Sequence, residues 1–424
     1  MTGNNGILTK TSESKQKTQE AQEKEGIGIA STIAQIGENG YQELNQTNLQ
    51  NAIDNQFGRN KAIVIDNGNG TFTVSFIESK RDYNITSNGI ENGINWNEAM
   101  ASARAPESQI EERNNGVIGI GTDGKPVNMD LWEYTLLDNG TYALNDKDTI
   151  SGNSDTKGYL GNIENGKIEG TVPQYIKNSS ETEFKKVTNL YETFAEISEM
   201  LESPKLPNTI LEMEWTFWNC QNLKKMPTIP YGVENLHGTF DNCINLENII
   251  ELPNSITNME TTFAHCKKIV NVPMLPNSVI NMNRTFYDCA NLSNISNIPN
   301  NVTNMFKTFG RCTSLEYFSC IIPNSVETMK YCFYGCSSLK AFQSAIPESV
   351  TKLDRMFYEC FNLSGIIEIN ATIDVTNISD YEWCFWDAAT EEGTYIILKG
   401  ICSKEVLNKM VQQKGENSTI NIED

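Results

Sequence analysis

The chain has 424 residues, with 54 Asp and Glu against 33 Lys and Arg, for a formal net charge of −21. This charge argues against nucleic-acid binding and polybasic membrane docking, because the chain repels phosphate groups and anionic headgroups. His237 and His265 are the only histidines, which excludes histidine-rich metal sites and disfavours histidine-based catalysis. No apolar run approaches the ~20 residues of a membrane helix.

The N-terminal segment is predicted to be helical over residues 9–37, where Gln, Glu, Lys and Ala are frequent. Its first half is polar on all sides and apolar residues gather only towards its end, as in a stalk that leads into a globular head. A second helix is predicted over residues 41–56. The segment KAIVIDNGNGTFTVSFI at residues 61–77 predicts a β-hairpin, since two alternating apolar runs flank a turn.

The order helix, helix, hairpin follows the opening TGNNGILTK at residues 2–10. Together these features, over residues 2–85, resemble the soluble part of type IV pilin-like proteins of Clostridia-like bacteria. In those proteins a positively charged apolar helix stands upstream of a TG-x-NGIL motif. The resemblance implies a pilin-like α+β head and self-assembly through the N-terminal helix. It also implies a membrane or filament helix that would precede Met1, removed or matured differently.

Two short motifs, one in the hairpin and one further along the chain, have the form of ligand sites. DNGNG at residues 66–70 is similar to the start of a calcium loop, but Gly68 stands where Asp or Asn is needed, so a hairpin turn is predicted. GIGTDG at residues 119–124 matches a dinucleotide fingerprint, but Pro126 follows it where a helix should begin. It is therefore interpreted as a turn into a strand, within a strand pair predicted at 116–121 and 126–137.

A repeat of 23 to 24 residues dominates the rest of the chain. Its unit reads V-x-x-M-x-x-T-F-x-x-C-x-x-L, followed by an apolar stretch that ends in Pro. The ladder Phe of the full units are Phe217, Phe240, Phe263, Phe286, Phe309, Phe333 and Phe357. The ladder Cys, three residues after each Phe, are Cys220, Cys243, Cys266, Cys289, Cys312, Cys336 and Cys360. Degenerate copies that lack this Cys surround Phe194 and Phe385.

One such unit cannot bury its apolar positions alone, so stacking of the units into a solenoid is predicted, with Val on Val, Phe on Phe and Cys on Cys. The apolar stretch after each Leu suits a short parallel strand that ends at the Pro. The M-x-x-T-F-x-x-C stretch suits a short helix or a turn. The extra residue in the last full units predicts a local bulge without a change of fold.

The phrases IPNSVETMKYCFYGCSSL and IPESVTKLDRMFYECFNL, residues 322–339 and 346–363, resemble the BspA-like leucine-rich repeats of bacterial and protist surface proteins. The resemblance covers residues 187–390. It implies a right-handed solenoid, extracellular adhesion or recognition, and no catalysis.

The eleven cysteines have two interpretations. The ladder Cys fill one small buried position in each turn, or some of them are chemically active. No zinc-type spacing of paired cysteines occurs. His265 precedes Cys266, but neighbours in sequence do not bring their side chains together, and the equivalent positions of the other units are polar and varied. The first interpretation is therefore favoured, with His265 exposed to solvent.

A stripe of aromatic residues is the main candidate site. The position after each ladder Phe and after Phe385 holds an aromatic residue in five turns, Trp218, Tyr287, Tyr334, Tyr358 and Trp386, and Asp241, Ala264 and Gly310 in the other three. The stripe is either outer packing between turns or a strip that binds sugar or protein, because Tyr and Trp favour interfaces. A second candidate is the polar face of the strands, with Lys224, Glu247 and Lys340, on an expected inner curve of the solenoid.

The sequence therefore predicts an α+β protein in three parts. Residues 1–85 form a pilin-like helix and head, residues 86–183 a β-rich extension or linker, and residues 184–424 the right-handed leucine-rich repeat solenoid. The solenoid ends in a cap with a strand at 395–398 and a helix near 403–413.

The predicted function is non-catalytic extracellular recognition, on a cell surface or surface filament, of a protein or glycan on another cell or matrix. No cofactor, metal, catalytic residue or nucleic-acid partner is predicted, and membrane contact would be only through the upstream helix. The alternative is a pilin-type filament subunit decorated by the repeats.

Overall fold

The structure is a computed structural model. It describes residues 22–24, 27, 36–37, 40–41, 46–58, 61–68, 71–76, 81–86, 89–95, 117–122, 124–145 and 158–423. The chain divides into two compact units, residues 1–110 and residues 111–424. Within the described ranges, no helix is both long enough and apolar enough to span a membrane.

The first unit contains one described helix of several turns and two antiparallel sheets. Its elements are β1 (Ile36–Gly37), β2 (Gly40–Tyr41), α1 (Gln46–Phe57), β3 (Ala62–Gly68), β4 (Thr71–Phe76), β5 (Arg81–Thr86) and β6 (Gly89–Asn95). β1 pairs with β2, and β3 to β6 form a sheet in chain order. The hairpin predicted at 61–77 is confirmed as β3 and β4, in which Val64 is opposite Val74.

The helix predictions for this unit hold in part. The helix predicted over 41–56 is α1, which begins later because residue 41 belongs to β2. Of the helix predicted over 9–37, residues 22–24 and 27 are helical, whereas Ile36–Gly37 is a strand. The rest of that prediction, with the pilin-like opening, lies outside the described residues.

The first unit has its own small core between α1 and the sheet. Alternate residues of β3 and β4 are buried against apolar residues of the helix, as expected for a sheet with one covered face. Gln50 ties the two elements together, since its side chain donates to the carbonyl of Ala62 at 3.0 Å and accepts from the N–H of Val64 at 2.5 Å. The sheet continues to Asn95 in β6, whereas the sequence division placed a boundary at residue 85.

The second unit is built from short strands and turns. Its first elements are β7 (Ile118–Gly121), β8 (Pro126–Val127), a 3-10 helix (Met129–Leu131), β9 (Thr135–Leu136), β10 (Tyr142–Ala143), β11 (Ile163–Glu164), β12 (Lys167–Ile168), β13 (Pro173–Lys177) and β14 (Lys185–Asn189). The later ones are β15 (Asn271–Val272), β16 (Asn294–Ile295), β17 (Tyr317–Phe318), β18 (Ala341–Phe342), β19 (Gly365–Glu368), a 3-10 helix (Ile378–Asp380), β20 (Ile396–Lys399), α2 (Lys404–Gln412) and β21 (Ile420–Ile422).

The predicted strand pair at 116–121 and 126–137 is present in shortened form. β7 and β8 form a hairpin, and the N–H of Gly121 donates to the carbonyl of Lys125 at 2.9 Å. GIGTDG is therefore a turn between strands, as interpreted from the sequence. The second strand stops at Val127 because the side chain of Asn128 accepts from the N–H of Asp130 and starts a 3-10 helix.

Residues 117–145 and 158–183 cover the first turn of the repeat. Their strands join a six-stranded sheet with the order β8, β7, β13, β14, β10, β9, and β14 leads into the first repeat. The rings of Trp132 and Tyr159 lie 5.9 Å and 6.1 Å from the ring of Phe194. This region shares one core with the repeats, so it is a cap that removes the first exposed ring from water.

The repeats stack with the same residues above one another. The ladder Phe are fully buried, and neighbouring rings from Phe217 to Phe309 are parallel within 5°, with centroids 5.5–5.8 Å apart. The degenerate copies join the column through Phe194 and Phe385. The predicted ladders are therefore confirmed, and the M-x-x-T-F-x-x-C stretches are turns.

Side-chain hydrogen bonds tie each turn to the one before it. The Thr that precedes a ladder Phe donates to a carbonyl of the preceding turn, as Thr285 does to Met259 at 2.8 Å. The ladder Cys donates its S–H to the carbonyl of the preceding Phe, as Cys289 does to Phe263 at 3.1 Å. These Thr and Cys groups therefore have a partner at the repeat distance, which avoids the cost of burying them unpaired.

Asparagine forms a ladder at one strand position. Parallel bridges join Asn235, Asn258, Asn281 and Asn304 in successive turns. Each of these side chains accepts a hydrogen bond from the backbone N–H two residues ahead, at 3.0 Å. This use accounts for part of the 51 Asn of the chain.

The predicted parallel strands are confirmed but short. β15 pairs with β16 and β17 with β18, all in parallel. The longer units keep the Phe column intact, at 5.6 Å between Phe309 and Phe333, but their rings tilt by 22°. The tilt between these two rings is larger than in the shorter units, and a bulge in the longer units stays a prediction.

The predicted C-terminal cap is confirmed. β19, β20 and β21 form a parallel sheet, and Val406, Leu407 and Met410 of α2 are buried in the same core as the repeats. The helix begins at the cap residue Ser403, whose side chain accepts from the N–H of Val406.

The Phe column predicts a large effect of a single cavity. We expect Phe286→Ala to lower the free energy of unfolding by about 3–5 kcal/mol, because a fully buried ring is lost and its neighbours cannot close the space. Phe306→Ala is the control, because Phe306 is only partly buried, and it should cost clearly less. Urea unfolding of both variants measures the difference. An equal loss of unfolding free energy in both would contradict a special contribution of the Phe column to stability.

Candidate recognition surface

Every full turn has two residues with left-handed backbone, two positions before and two after the ladder Phe. Around Phe309 these are Lys307, with φ 54°, and Arg311, with φ 62°. Their N–H groups donate to carbonyls of the next turn, Lys307 to Lys330 at 3.0 Å and Arg311 to Tyr334 at 2.6 Å. Bonds between turns therefore hold a conformation that large residues rarely adopt.

We call the turn face the two rows of residues that lie two before and one after each ladder Phe. The first row is Trp215, Gly238, Thr261, Arg284, Lys307, Tyr331, Arg355 and Trp383. The second row is Trp218, Asp241, Ala264, Tyr287, Gly310, Tyr334, Tyr358 and Trp386. Where both residues of a turn are aromatic the rings contact each other, at 6.2 Å for Trp215 and Trp218 and at 5.9 Å for Tyr331 and Tyr334.

The stripe predicted from the sequence is the second of these rows. Trp218, Tyr287, Tyr334, Tyr358 and Trp386 are all at least partly exposed. Only Tyr334 and Tyr358 are brought into contact with each other, at 5.5 Å between ring centroids. Asp241 and Ala264 occupy the two turns between Trp218 and Tyr287, so the row is interrupted. Ligand binding by these residues stays a prediction.

Two glycines make room for rings of the turn face. A Cβ atom on Gly238 would lie 2.1 Å from the ring of Trp215, and one on Gly310 would lie 3.0 Å from the ring of Tyr287. Each ring therefore leans over the glycine of the next turn. These two positions have no side chain of their own, but an aromatic ring from the preceding turn covers them.

Sequence analysis missed the first row, which carries cations over rings. Lys307 Nζ lies 4.8 Å from the ring centroid of Tyr331 and 5.3 Å from that of Phe306. Arg355 lies 4.2 Å from the ring of Trp383 and donates to the hydroxyl of Tyr331 at 2.7 Å. The sequence signal that could have found the first row is its spacing of three residues from the second row. Residues three apart in one tight turn lie on the same side of that turn.

The second predicted candidate lies on the strand side of the repeats. Lys224, Glu247 and Lys340 are exposed there, and Lys340 pairs with Glu316 at 2.8 Å. An inner curve at this side stays a prediction.

Both histidines lie beside carboxylates. His265 Nδ1 is 2.8 Å from Asp241, and His237 Nδ1 is 3.8 Å from Glu214. The hydrogen bond to Asp241 raises the pKa of His265, and the nearby carboxylate of Glu214 raises the pKa of His237. His265 is therefore paired as well as partly exposed, and its side chain does not activate Cys266, which is fully buried.

The cysteines are all buried thiols. Burial raises the pKa of the ladder Cys from Cys243 to Cys360, to about 12 for Cys336, which disfavours the reactive thiolate. Within the described ranges, no group of three or more His, Cys, Asp or Glu side chains could hold a metal ion.

The thiols give a test of the stack. We expect the ladder Cys to resist alkylation by iodoacetamide in the native chain, because they are 0% exposed. Cys320 and Cys402, at 9% and 6% exposed, should react first and serve as internal controls. All eleven should react in denaturant, as read by peptide mass spectrometry. Fast native labelling of Cys289 would contradict this packing.

The His265 pair predicts a pH dependence. Because the pKa of His265 is higher in the folded chain than in the unfolded chain, the pair with Asp241 stabilises the fold fully at pH values below the unfolded pKa of ~6.5. That contribution is lost as pH rises through the folded value. NMR titration of the two imidazoles should give a pKa above 6.5 for His265, and Asp241→Asn should lower it while His237 changes little. An unchanged His265 titration in that variant would contradict the pairing.

Comparisons with known proteins agree with the repeat pattern. Residues 188–316 and 274–390 match the model of the BspA type leucine rich repeat region, in six copies. No curated protein matches the chain. One similar solved structure is a leucine-rich repeat protein from Bacteroides ovatus ATCC 8483, with 16% identity, 70% of this chain and 99% of that chain covered, and a TM-score of 0.36.

Two other solved structures are similar at comparable levels. The leucine rich repeat protein of T. pallidum has 21% identity, covers 50% of this chain and 89% of its own, and has a TM-score of 0.36. A leucine rich cell surface protein from Faecalibacterium prausnitzii A2-165 has 18% identity, covers 58% and 95%, and has a TM-score of 0.22. Residues 188–390, whose turns stack in register, are therefore similar to a BspA type leucine rich repeat region.

Proposed function

We propose that this chain is a non-catalytic extracellular recognition protein that binds a protein or glycan ligand through its repeats, arranged as a right-handed solenoid. The repeat region supports this proposal because BspA-type repeats resemble those of bacterial surface proteins. Display on a cell surface or on a surface filament is part of the same proposal. The filament-subunit alternative rests on the resemblance of residues 2–85 alone.

The turn face is the observation that carries the proposal. It presents aromatic rings and arginines, the residue types enriched in binding interfaces. Trp383 and Trp386 are 40% and 36% exposed at one end of it. The carbonyl of Trp386 accepts from the N–H of Glu359 in the preceding turn, and the N–H of Trp383 donates to the side chain of Gln413. Little conformational entropy is therefore lost when a ligand orders these residues.

The residue types at the left-handed positions support a role beyond packing. Glycine would satisfy the backbone there at no steric cost, as Gly238 does with φ 61°. Trp215, Arg284 and Tyr331 adopt the same conformation with φ of 52° to 56°. Bulky residues in sparsely populated backbone conformations are typical of functional surfaces.

A pair of matched variants tests this proposal. We expect the full chain to bind ligands on a glycan array or among extracellular matrix proteins. Tyr334→Ala/Tyr358→Ala should weaken that binding by roughly tenfold or more, since interface aromatics are frequent hot spots. Tyr317→Ala/Tyr395→Ala removes two rings that are 55% and 49% exposed but lie off the turn face, and it should change binding less than twofold.

The control also tests the competing strand surface. Tyr317 lies in β17, on the strand side. Loss of binding in the control but not in the turn-face variant would therefore move the site to the strands and contradict the proposed role of the turn face. Absence of binding by the unmodified chain to every glycan and protein tested would contradict the proposed function itself.

A further inference from the structure

The middle of the turn face carries a cluster of positive side chains, although the net charge of the chain is negative. Arg284 and Lys307 lie in successive turns of its first row. Arg311 directly follows Gly310, the second-row residue of the same turn as Lys307. The chain as a whole carries −21. A local cluster of three cations in an acidic protein is a specific attraction for anions, because the surrounding charge repels them.

In the described part of the chain, these three cations form no ion pair with a carboxylate. None has an Asp or Glu oxygen within 4.0 Å among the described residues, whereas Lys340, Lys330 and Arg355 all do. Their neighbours are rings. Arg284 lies 5.2 Å from the ring centroid of Phe306, Lys307 5.9 Å from that of Tyr287, and Arg311 5.9 Å from that of Tyr334. Asp288 of the preceding turn, which pairs with Lys267 at 3.9 Å, adds to the effects of Tyr287 and Tyr334 that raise the pKa of Arg311.

The cations also repel one another. Partial burial, then the charges of Arg284 and Arg311, lower the pKa of Lys307. The Phe column keeps the turns close, with 5.8 Å between the rings of Phe286 and Phe309, so the backbones that carry the three groups stay in neighbouring turns. An anion placed between them would relieve this repulsion and would replace water by charge-assisted hydrogen bonds.

Acidic residues set the length of the cluster. Asp241 and Glu260 precede it along the stack and Glu359 follows it, whereas Asp288 lies within it. A long polyanion such as a nucleic acid would extend over the carboxylates at both ends and be repelled. A ligand with acidic groups over two or three turns fits between them.

The backbone at this surface is already used. The N–H groups of Arg284, Lys307 and Arg311 all donate to carbonyls of the next turn. A peptide therefore finds no unpaired main chain for strand addition here, and a ligand is held by side chains alone. Arginine forks suit carboxylate and sulfate groups, and the partly exposed rings of Tyr287 and Tyr334 suit the apolar faces of sugar rings.

We propose that Arg284, Lys307 and Arg311 form a binding site for an acidic oligosaccharide, one that carries carboxylate or sulfate groups on neighbouring sugars. Tyr287, Phe306 and Tyr334 supply the apolar surface around it. This inference rests on the proposed recognition function and names the ligand class of the same turn face.

Calorimetric titration of the full chain tests the ligand class directly. The probes are a heparin-derived hexasaccharide for sulfate, hexagalacturonate for carboxylate, maltohexaose as the neutral sugar and hexaglutamate as the acidic peptide. We expect binding of at least one acidic hexasaccharide, little binding of maltohexaose and hexaglutamate, and weaker binding at higher salt because exposed charges are screened. The sulfate and carboxylate arms decide which anion the site prefers.

Two charge-matched variants locate the site. Arg284→Gln/Lys307→Gln should weaken binding of the acidic hexasaccharide by roughly tenfold or more, since two charge-assisted contacts are lost. Lys224→Gln/Lys268→Gln removes the same charge from two exposed lysines outside the cluster and should change binding less than twofold. Thermal melting of both variants checks that the fold is kept.

Each remaining result overturns the inference in a distinct way. Equal weakening by both variants would mean general charge attraction, and equally tight binding of hexaglutamate would mean an acidic-peptide site. If neither acidic hexasaccharide binds while a neutral glycan or a protein binds and depends on Tyr334 and Tyr358, this inference fails and the proposed function stands. If no probe, glycan or protein binds, both fail.

Discussion

Stacking of buried phenylalanine rings at 5.3–5.8 Å is the constraint on which the repeat region depends. It sets the distance between turns, and the Thr and Cys side chains meet carbonyls of the preceding turn only at that distance. The same distance aligns the backbone bonds that hold two left-handed residues in each turn. The surface residues are therefore positioned by the core, with little freedom of their own.

A column of this kind has two exposed ends, and the chain covers both. Trp132 and Tyr159 close it over Phe194, while β19 to β21 and α2 close it after Phe385. The described region from residue 117 to the repeats thus belongs to the same folded unit as the repeats. A fragment that starts at residue 184 would expose apolar surface that the full chain buries.

The repeat period predicted the ladders, the parallel strands and the C-terminal cap, because buried positions must recur when identical turns stack. It did not predict the turn face completely. The position of Lys307 varies among Trp, Gly, Thr, Arg, Lys and Tyr across the turns, so no residue type marks it, and its left-handed backbone has no signature without glycine. The interruption of the predicted stripe at Asp241 and Ala264 is visible in the sequence, whereas the ring contacts between neighbouring turns depend on the structure. The strand boundary at Val127 depended on one local hydrogen bond of Asn128.

The central claim is that ligand binding takes place on the turn face and not on the strand side. Hydroxyl-radical footprinting of the full chain, with and without a saturating acidic hexasaccharide, tests it most directly because aromatic and Met side chains on both sides react. The account predicts protection of Tyr287, Phe306 and Tyr334, with unchanged reactivity of Tyr317 and Met274, which are 55% and 67% exposed on other surfaces. Protection of Tyr317 or Met274 without protection of Tyr287 and Tyr334 would contradict it.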